Sequence, residues 1–338
     1  MTAVATPAAA GATASVRRPG RGRLGGAGKG RGPKVPLRPS QRRNRRRTVL
    51  SALAFLSPWI IGFLVFTAWP IGYSLYLSLT DYDIINAPTF VGLENYVRLA
   101  GDPNVQLALG NTVVFTLLQV PLYVTLSFAL ALLLDKAGRS MGFFRTAFFL
   151  PRMTPPVAVG VLVLLLLNGQ DGLLNTALGW FGIDGPNWTT DSAWIKPGLV
   201  LMSLWTVGGS VLILLAALRG VPRELLDAAK MDGAGFFRRT WHVTMPMVSG
   251  PLFFLVVVNT IDGLQTFTEA YTAYFGSTGG YGNDAALFYA IYLFQQAFQF
   301  FNMGYASALA WLLFLVVLAI TGVQLLVSRR VVYYEADR

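Results

Sequence analysis

This chain has no cysteine and one histidine, His242. Without thiols it can form no disulfides and no thiolate metal sites, and their lack does not fix a compartment. A single histidine cannot build an imidazole metal centre, so no metal ligand and no catalytic residue is assigned. Charge is scarce too, at 13% of residues against about 25% in a typical soluble domain. Acidic residues are missing altogether from residues 1–48. Apolar residues fill the space, at 54% of the chain with a mean hydropathy of +0.52. Stretches 48–80, 103–134, 153–170, 197–218 and 285–328 carry no Asp, Glu, Lys or Arg. A bilayer span takes roughly 20 apolar residues, so several of these runs can cross a membrane. The composition is that of an all-α membrane protein.

The cations that do occur are crowded. Thirteen of the 27 lysines and arginines lie in residues 1–48. That segment is rich in Ala, Gly, Pro and Arg and poor in large apolar residues, so it is expected to stay disordered. Its end, Gln41 to Arg47, adjoins the first apolar run and suits anionic lipid headgroups. No nucleic-acid partner is expected. The run after it is too long for a cleaved secretory signal, and no small-residue cleavage site closes it. Gly25-Gly26-Ala27-Gly28-Lys29-Gly30 imitates a phosphate loop. Arg23 stands where such a loop needs its first glycine, and Gly30 where it needs Ser or Thr.

Six spans are expected near 49–72, 111–134, 147–168, 197–218, 247–270 and 304–327. Pro58, Pro70, Pro121, Pro155 and Pro156 predict kinks, which neighbouring groups must satisfy. The positive-inside bias places Arg45–Arg47, then Lys136, Arg139 and Arg145, then Arg219 to Arg239, then Arg329 and Arg330 in the cytoplasm. Both termini are then cytoplasmic, with 331–338 a short tail. The opposite loops hold mostly Asp and Glu, with Arg98 and Lys196. The long final run is divided into an external, interfacial helix near 285–299 and one span. Arg152, near the cytoplasmic end of the third span, is expected to snorkel to the headgroups, with a cavity-facing position as the alternative.

Between the fourth and fifth spans, Pro222 starts a helix with Glu224 near its positive dipole end. Ala228, Ala229, Gly233, Ala234 and Gly235 leave a low face that another protein can approach, with Phe236 and Phe237 as apolar anchors. An ordinary interfacial helix would account for the arginines, though this small-residue run binds membranes poorly. Asp227-Ala228-Ala229, three residues, Gly233, nine residues, Val243, one residue, Met245-Pro246 resembles the EAA loop of ABC-importer permeases. Asp, Val and Met stand where that pattern has Glu, Ile and Leu. Tyr73 to Tyr82, Phe90 to Tyr96, Asn111-Thr112, Phe143 to Pro151 and Gly304 to Ala308 are similar to carbohydrate-importer permeases of the maltose and glycerol-phosphate type. The resemblance covers about 55–330 and leaves the basic tail unassigned.

The resemblance implies a six-transmembrane-helix type I ABC importer permease core over 49–330 with a cytoplasmic coupling helix in the loop 222–246. Glu224, Asp227, Ala228, Ala229, Asp232, Gly233, Ala234, Phe237 and Pro246 would then meet an ATPase. The implied partners are a second permease subunit, usually in a heterodimer, an ABC ATPase dimer and an extracytoplasmic solute-binding protein. The chain itself would hold no cofactor, with ATP and Mg bound by the ATPase, and would change no covalent bond. Its place would be a bacterial or archaeal plasma membrane.

The fifth span has a polar face of its own. Asn259, Asp262, Gln265, Thr266 and Glu269 fall on about a third of the helix circumference. A carboxylate at the bilayer centre costs roughly 2.5–3.5 kcal/mol, so this face must look onto protein or water. The fourth span adds Ser203, Thr206 and Ser210, with Trp205 nearby. Amides, carboxylates and an aromatic plate suit an uncharged polyhydroxylated solute such as a mono-, di- or oligosaccharide; a polyol or glycerol phosphate stays open, although the few external cations argue against a phosphorylated solute. Plain interhelical hydrogen bonding remains the structural alternative. A proton-coupled secondary transporter using Asp262 and Glu269 is the functional one, although it needs no coupling loop. A membrane enzyme would want a catalytic cluster at an interface, which the loops do not display.

Overall fold

The computed structural model describes residues 39–275 and 284–333. The chain divides into two units, Met1–Phe63 and Leu64–Arg338. In the first, the described part is one helix, α1 (Pro39–Phe63), with Pro58 inside it. Trp59 stacks on Phe63 one turn later, ring centroids 5.7 Å apart. This helix starts within the basic segment 1–48; residues 1–38 lie outside the described residues.

The second unit opens with a π turn at Leu64–Ala68 and α2 (Trp69–Ser78). A short antiparallel pair follows, β1 (Thr80–Asp81) with β2 (Thr89–Phe90), in the register Thr80 to Phe90. Next comes α3 (Glu94–Gly101), anchored by Asn95 Nδ2, which donates to the carbonyls of Ser78 and Thr80 at 3.0 and 2.8 Å.

The long helix α4 (Pro103–Asp135) is the axis of the unit. Asp102 caps its start by accepting from the Asn104 N–H at 2.9 Å, and Pro103 fills a first-turn position that needs no donor. The other Asp102 oxygen accepts from Tyr292 Oη and Tyr305 Oη, both at 2.6 Å. Arg98 lies over the Tyr305 ring, 4.3 Å from its centroid. Burial alone would push the Asp102 carboxyl up. The two phenols and the backbone N–H groups outweigh it and hold the carboxyl below its ordinary value. Tyr292 is pushed up to about 12, by burial first and then by the carboxylate.

Two breaks shape the middle of the chain. Segment α5 (Met141–Phe149) passes through a 3-10 turn at Leu150–Met153 and meets α6 (Pro156–Leu166) at a bend of 95°. The cause is the Pro155-Pro156 pair, since a residue before proline is driven out of the helical region. Thr154 and Pro155 accordingly have ψ of 128° and 140°. After α7 (Leu173–Gly179), α8 (Ser192–Leu204) meets α9 (Gly208–Arg219) at 52°. The expected third and fourth spans are therefore each a broken pair.

Three short helices, α10 (Arg223–Met231), α11 (Phe236–Arg239) and α12 (Met245–Met247), lead into α13 (Ser249–Leu264), which breaks before α14 (Thr268–Tyr274). Then come α15 (Tyr289–Phe294), a π turn at Gln295–Gln299, and α16 (Met303–Val331). Among the described residues Leu50–Ser78, Pro103–Asp135, Ser249–Tyr274 and Met303–Arg330 are long and apolar enough to cross a membrane. The number rises to six if each bent pair is one span.

The core lies in two clusters along α4. One joins its first half to α8, α14, α15 and α16, with Tyr274, Phe288, Tyr289 and Ile291 fully buried. The other joins its second half to α9 and α13 through Val211, Leu214 and Leu255. The stretch expected to lie at the interface, around Tyr289, instead turns its aromatics into protein. Tyr289 Oη donates to the Leu309 carbonyl at 2.9 Å, and the Tyr289 N–H donates to Thr112 Oγ1 at 2.9 Å. Asn111 Nδ2 holds the neighbouring carbonyls of Asp284 and Leu287 at 2.7 and 2.9 Å.

Candidate functional site

Between α4, α6, α8, α9, α13 and α14 lies a cavity of about 650 Å³. Its polar wall is built by the two breaks. Where α8 stops, the chain makes i to i+3 turns through Trp205, Thr206 and Val207, so carbonyls leave the regular ladder. Tyr123 Oη, from α4, donates to the Thr206 carbonyl at 3.0 Å. Ser203 and Thr206 hydroxyls donate back to Val200 and Ser203 carbonyls at 2.7 and 2.9 Å. Asn259 Nδ2 donates to the Leu255 carbonyl at 2.8 Å, leaving its carbonyl oxygen free to accept.

Ser203, Thr206 and Ser210 meet Asn259, Asp262, Gln265, Thr266 and Glu269 around this one cavity. Trp205 is not among its lining residues and is 42% exposed. Two residues after Ser203 it points to the other side of the helix, and the turn at 205–207 does not bring it back. The aromatic surface comes from Phe115, Phe254 and Phe267 instead. Phe267 is held by Tyr271 and Phe294, with centroids 5.0 and 5.2 Å away.

Four polar wall residues lie outside the set expected from the sequence: Gln119, Tyr123, Arg152 and Thr268. Gln119 and Tyr123 continue Thr112 and Thr116 along one stripe of α4, at helical spacing, and that stripe was the available signal. Gln119 is 7% exposed, and its Oε1 has no hydrogen-bond partner. Arg152, expected at the headgroups, lines the cavity, because the 95° bend swings its segment off the axis of α6.

The loop 222–246 is built differently. No residue of α10 or α11 is buried. Glu224, Asp227, Ala228, Asp232, Gly233 and Phe237 are exposed, while Ala234 and Pro246 are half-buried. The helix ends in a Schellman turn, with the Ala234 N–H donating to the Ala229 carbonyl at 2.9 Å and the Gly233 N–H to the Lys230 carbonyl at 3.0 Å. Gly233 has φ of +73° and open space around it, so conformation and not crowding demands glycine there. Asp227 accepts from Lys230 Nζ at 2.6 Å, and this hydrogen bond and charge hold its carboxyl below the ordinary range. Phe236 receives Lys136 over its ring at 3.6 Å, which ties the loop to the turn after α4. Met231 and Phe237 remain 88% and 86% exposed.

Helices of membrane length around a polar cavity, with two wall helices joined by an exposed loop, define a multi-pass membrane permease. The chain belongs to the family of binding-protein-dependent transport system inner membrane components, which residues 124–333 match. It is 38% identical over 299 residues to the probable ABC transporter permease protein YesP of Bacillus subtilis (strain 168), covering 87% of this chain and 95% of that one. It is 34% identical over 281 residues to the lactose transport system permease protein LacF of Rhizobium radiobacter, covering 81% and 93%. The fold is that of a chain in the crystal structure of a bacterial ABC transporter involved in the import of alginate. The TM-score is 0.73 at 23% identity, over 86% of this chain and 99% of that one.

Proposed function

We propose that this permease is one half of the translocation pathway of an ATP-driven importer that takes up an uncharged sugar. The observation that carries the reading is the convergence of the α8–α9 and α13–α14 polar faces on one cavity, with the loop 222–246 joining the two walls. Hydroxyls, amides and carboxylates there offer paired donors and acceptors for sugar hydroxyls, beside aromatic plates. Relatives named for lactose and arabinooligosaccharide transport support a sugar as the solute, without deciding its charge.

In this reading the chain crosses the membrane six times, with the two bent pairs as spans three and four and both termini in the cytoplasm. Helix α10 and its Schellman turn dock into a dimeric ATPase, which binds ATP and Mg. Phe237 and Met231 are the apolar anchors of that contact. A second permease completes the pathway, and an extracytoplasmic binding protein delivers the solute. A solved transporter of this fold is described in complex with a pentasaccharide-bound periplasmic protein. The apolar flanks of α2 and α16 then face lipid or the second subunit.

The test is uptake in vesicles holding the assembled complex, with ATP inside and the proton gradient present or collapsed. ATP-dependent sugar uptake that survives collapse of the gradient is expected. Uptake that follows the gradient and ignores ATP would establish the secondary-transporter alternative. Single cysteines, introduced into a chain that has none, check orientation. Ser192→Cys should label from outside and Ser140→Cys only after permeabilisation.

A further inference from the structure

The cavity wall carries one cation, Arg152, and two carboxylates, Asp262 and Glu269, a balance of one positive against two negative charges. Arg152 lies across the first turn of α9: a Cβ built on Gly209 would stand 4.0 Å from Arg152 Cγ and 4.0 Å from Arg152 Nε. Arg152, Ser210 on α9 and Asp262 on α13 line the same cavity. Arg152 and Asp262 do not join, since the one ion pair among the described residues is Lys230 with Asp227. Opposite charges, one from the turn before α6 and one from α13, therefore line a shared space without closing on each other.

We propose that Asp262 sets the charge class of the solute. By opposing Arg152 it cancels the one cation among the cavity's described residues and closes the pathway to sugars bearing carboxylate or phosphate, while uncharged sugars pass. This rests on the reading of the cavity as a sugar pathway. The physical basis is that exposed charges lining one water-filled cavity act on a passing solute within about a Debye length, roughly 8 Å at physiological ionic strength. An unopposed guanidinium is also a planar, five-donor receptor for carboxylate and phosphate. Without Asp262 only Glu269 opposes Arg152, and the balance moves toward admitting an anion.

The missing cysteines let the local charge be read with no knowledge of the sugar. Val258→Cys lies one turn before Asp262 on the same wall, and Ile213→Cys lies on α9; both positions line the cavity. Each is reacted, in the assembled complex, with a negatively and a positively charged methanethiosulfonate of similar size. Asp262→Asn should raise the ratio of anionic to cationic rate about tenfold, and Arg152→Gln should lower it by a similar factor. The double variant should return near the starting ratio. In about 1 M salt, where the Debye length is about 3 Å, the differences should flatten.

A ratio that either single substitution leaves unchanged, or that both move in the same direction, overturns the proposal. So does a change that persists undiminished in high salt, which would report altered access and not charge. Failure of the pathway reading shows separately. A complex fully modified at Val258→Cys that still imports sugar at its full rate would remove the cavity from the route, whatever the rate ratios.

Discussion

The cavity wall and the loop 222–246 occupy adjoining lengths of chain, and they handle polarity in opposite ways. On the wall, some polar groups are satisfied within the fold, Asn259 by Leu255, Thr206 by Ser203 and the Thr206 carbonyl by Tyr123, while Asp262 and Gln265 stand exposed. Some capacity is left over, as at Gln119 Oε1. In the loop it is the apolar groups that are left over, with Phe237 and Met231 almost wholly exposed beside a solvated Asp227–Lys230 pair. Spare hydrogen-bonding capacity inside and spare apolar surface outside are complementary deficits. The first calls for a polar visitor and the second for a protein that stays.

The strongest way to break this comparison is at Gly233. Its φ of +73° costs a residue with a side chain roughly 1–2 kcal/mol, and tryptophan adds bulk to the low face. Gly233→Trp should take uptake to background and abolish ATPase pull-down while the protein inserts normally. A normal pull-down would separate the loop from the ATPase. The wall should respond more gradually. Asn259→Ala and Gln265→Ala each remove a partner worth about 1–3 kcal/mol, or roughly 5- to 150-fold in uptake, with assembly retained. The relative rates for sugars differing in one hydroxyl should also move. If assembly fails in both variants, the face is packing and not pathway.

Gly160 tests the wall's backing. A methyl group there would meet Thr272 Cβ at 2.7 Å and the Glu269 carbonyl at 2.9 Å. Gly160→Ala should therefore cost about 1–3 kcal/mol of thermal stability, where the same change at the open Gly235 should be far milder. The smallest effect is expected at Asp102, which lies outside both regions. Its carboxyl is held below the ordinary 3.8, so its contribution is present above that pH and is lost as pH falls through the lower folded value. Allowing for partial exposure, Asp102→Asn should cost about 1 kcal/mol and erase that acid-limb step in a melting curve.

The local features of both regions could be read in the sequence. The loop helix needs only Pro222 at its start and the small residues that follow, and the α13 face needs only a 3.6-residue period. What escaped was set by backbone breaks and distant partners. Pro155-Pro156 was legible as a kink, but its 95° size was not, and so Arg152 was expected at the headgroups. Trp205 was grouped with Ser203 by proximity in sequence, although its helical phase differs. Gln119 and Tyr123 sat in an overwhelmingly apolar run, where a single polar stripe gives a weak signal. The burial of Tyr289 depends on Thr112 and Leu309, and no local pattern announces partners so remote.

The order of elements in the middle of the chain has a mechanical consequence. The loop is covalently continuous with α9 on one side and α13 on the other, and both helices line the cavity. A load applied to α10 is therefore delivered to two walls from a single point, as by the crossbar of a pair of tongs. Both walls are interrupted further along, at 205–207 and 265–267, where regular helix gives way to turns. Rigid rods would carry such a stroke through to the far ends. Jointed ones would confine it to the arms next to the loop, so that the reach of any such load would be set by the positions of the joints.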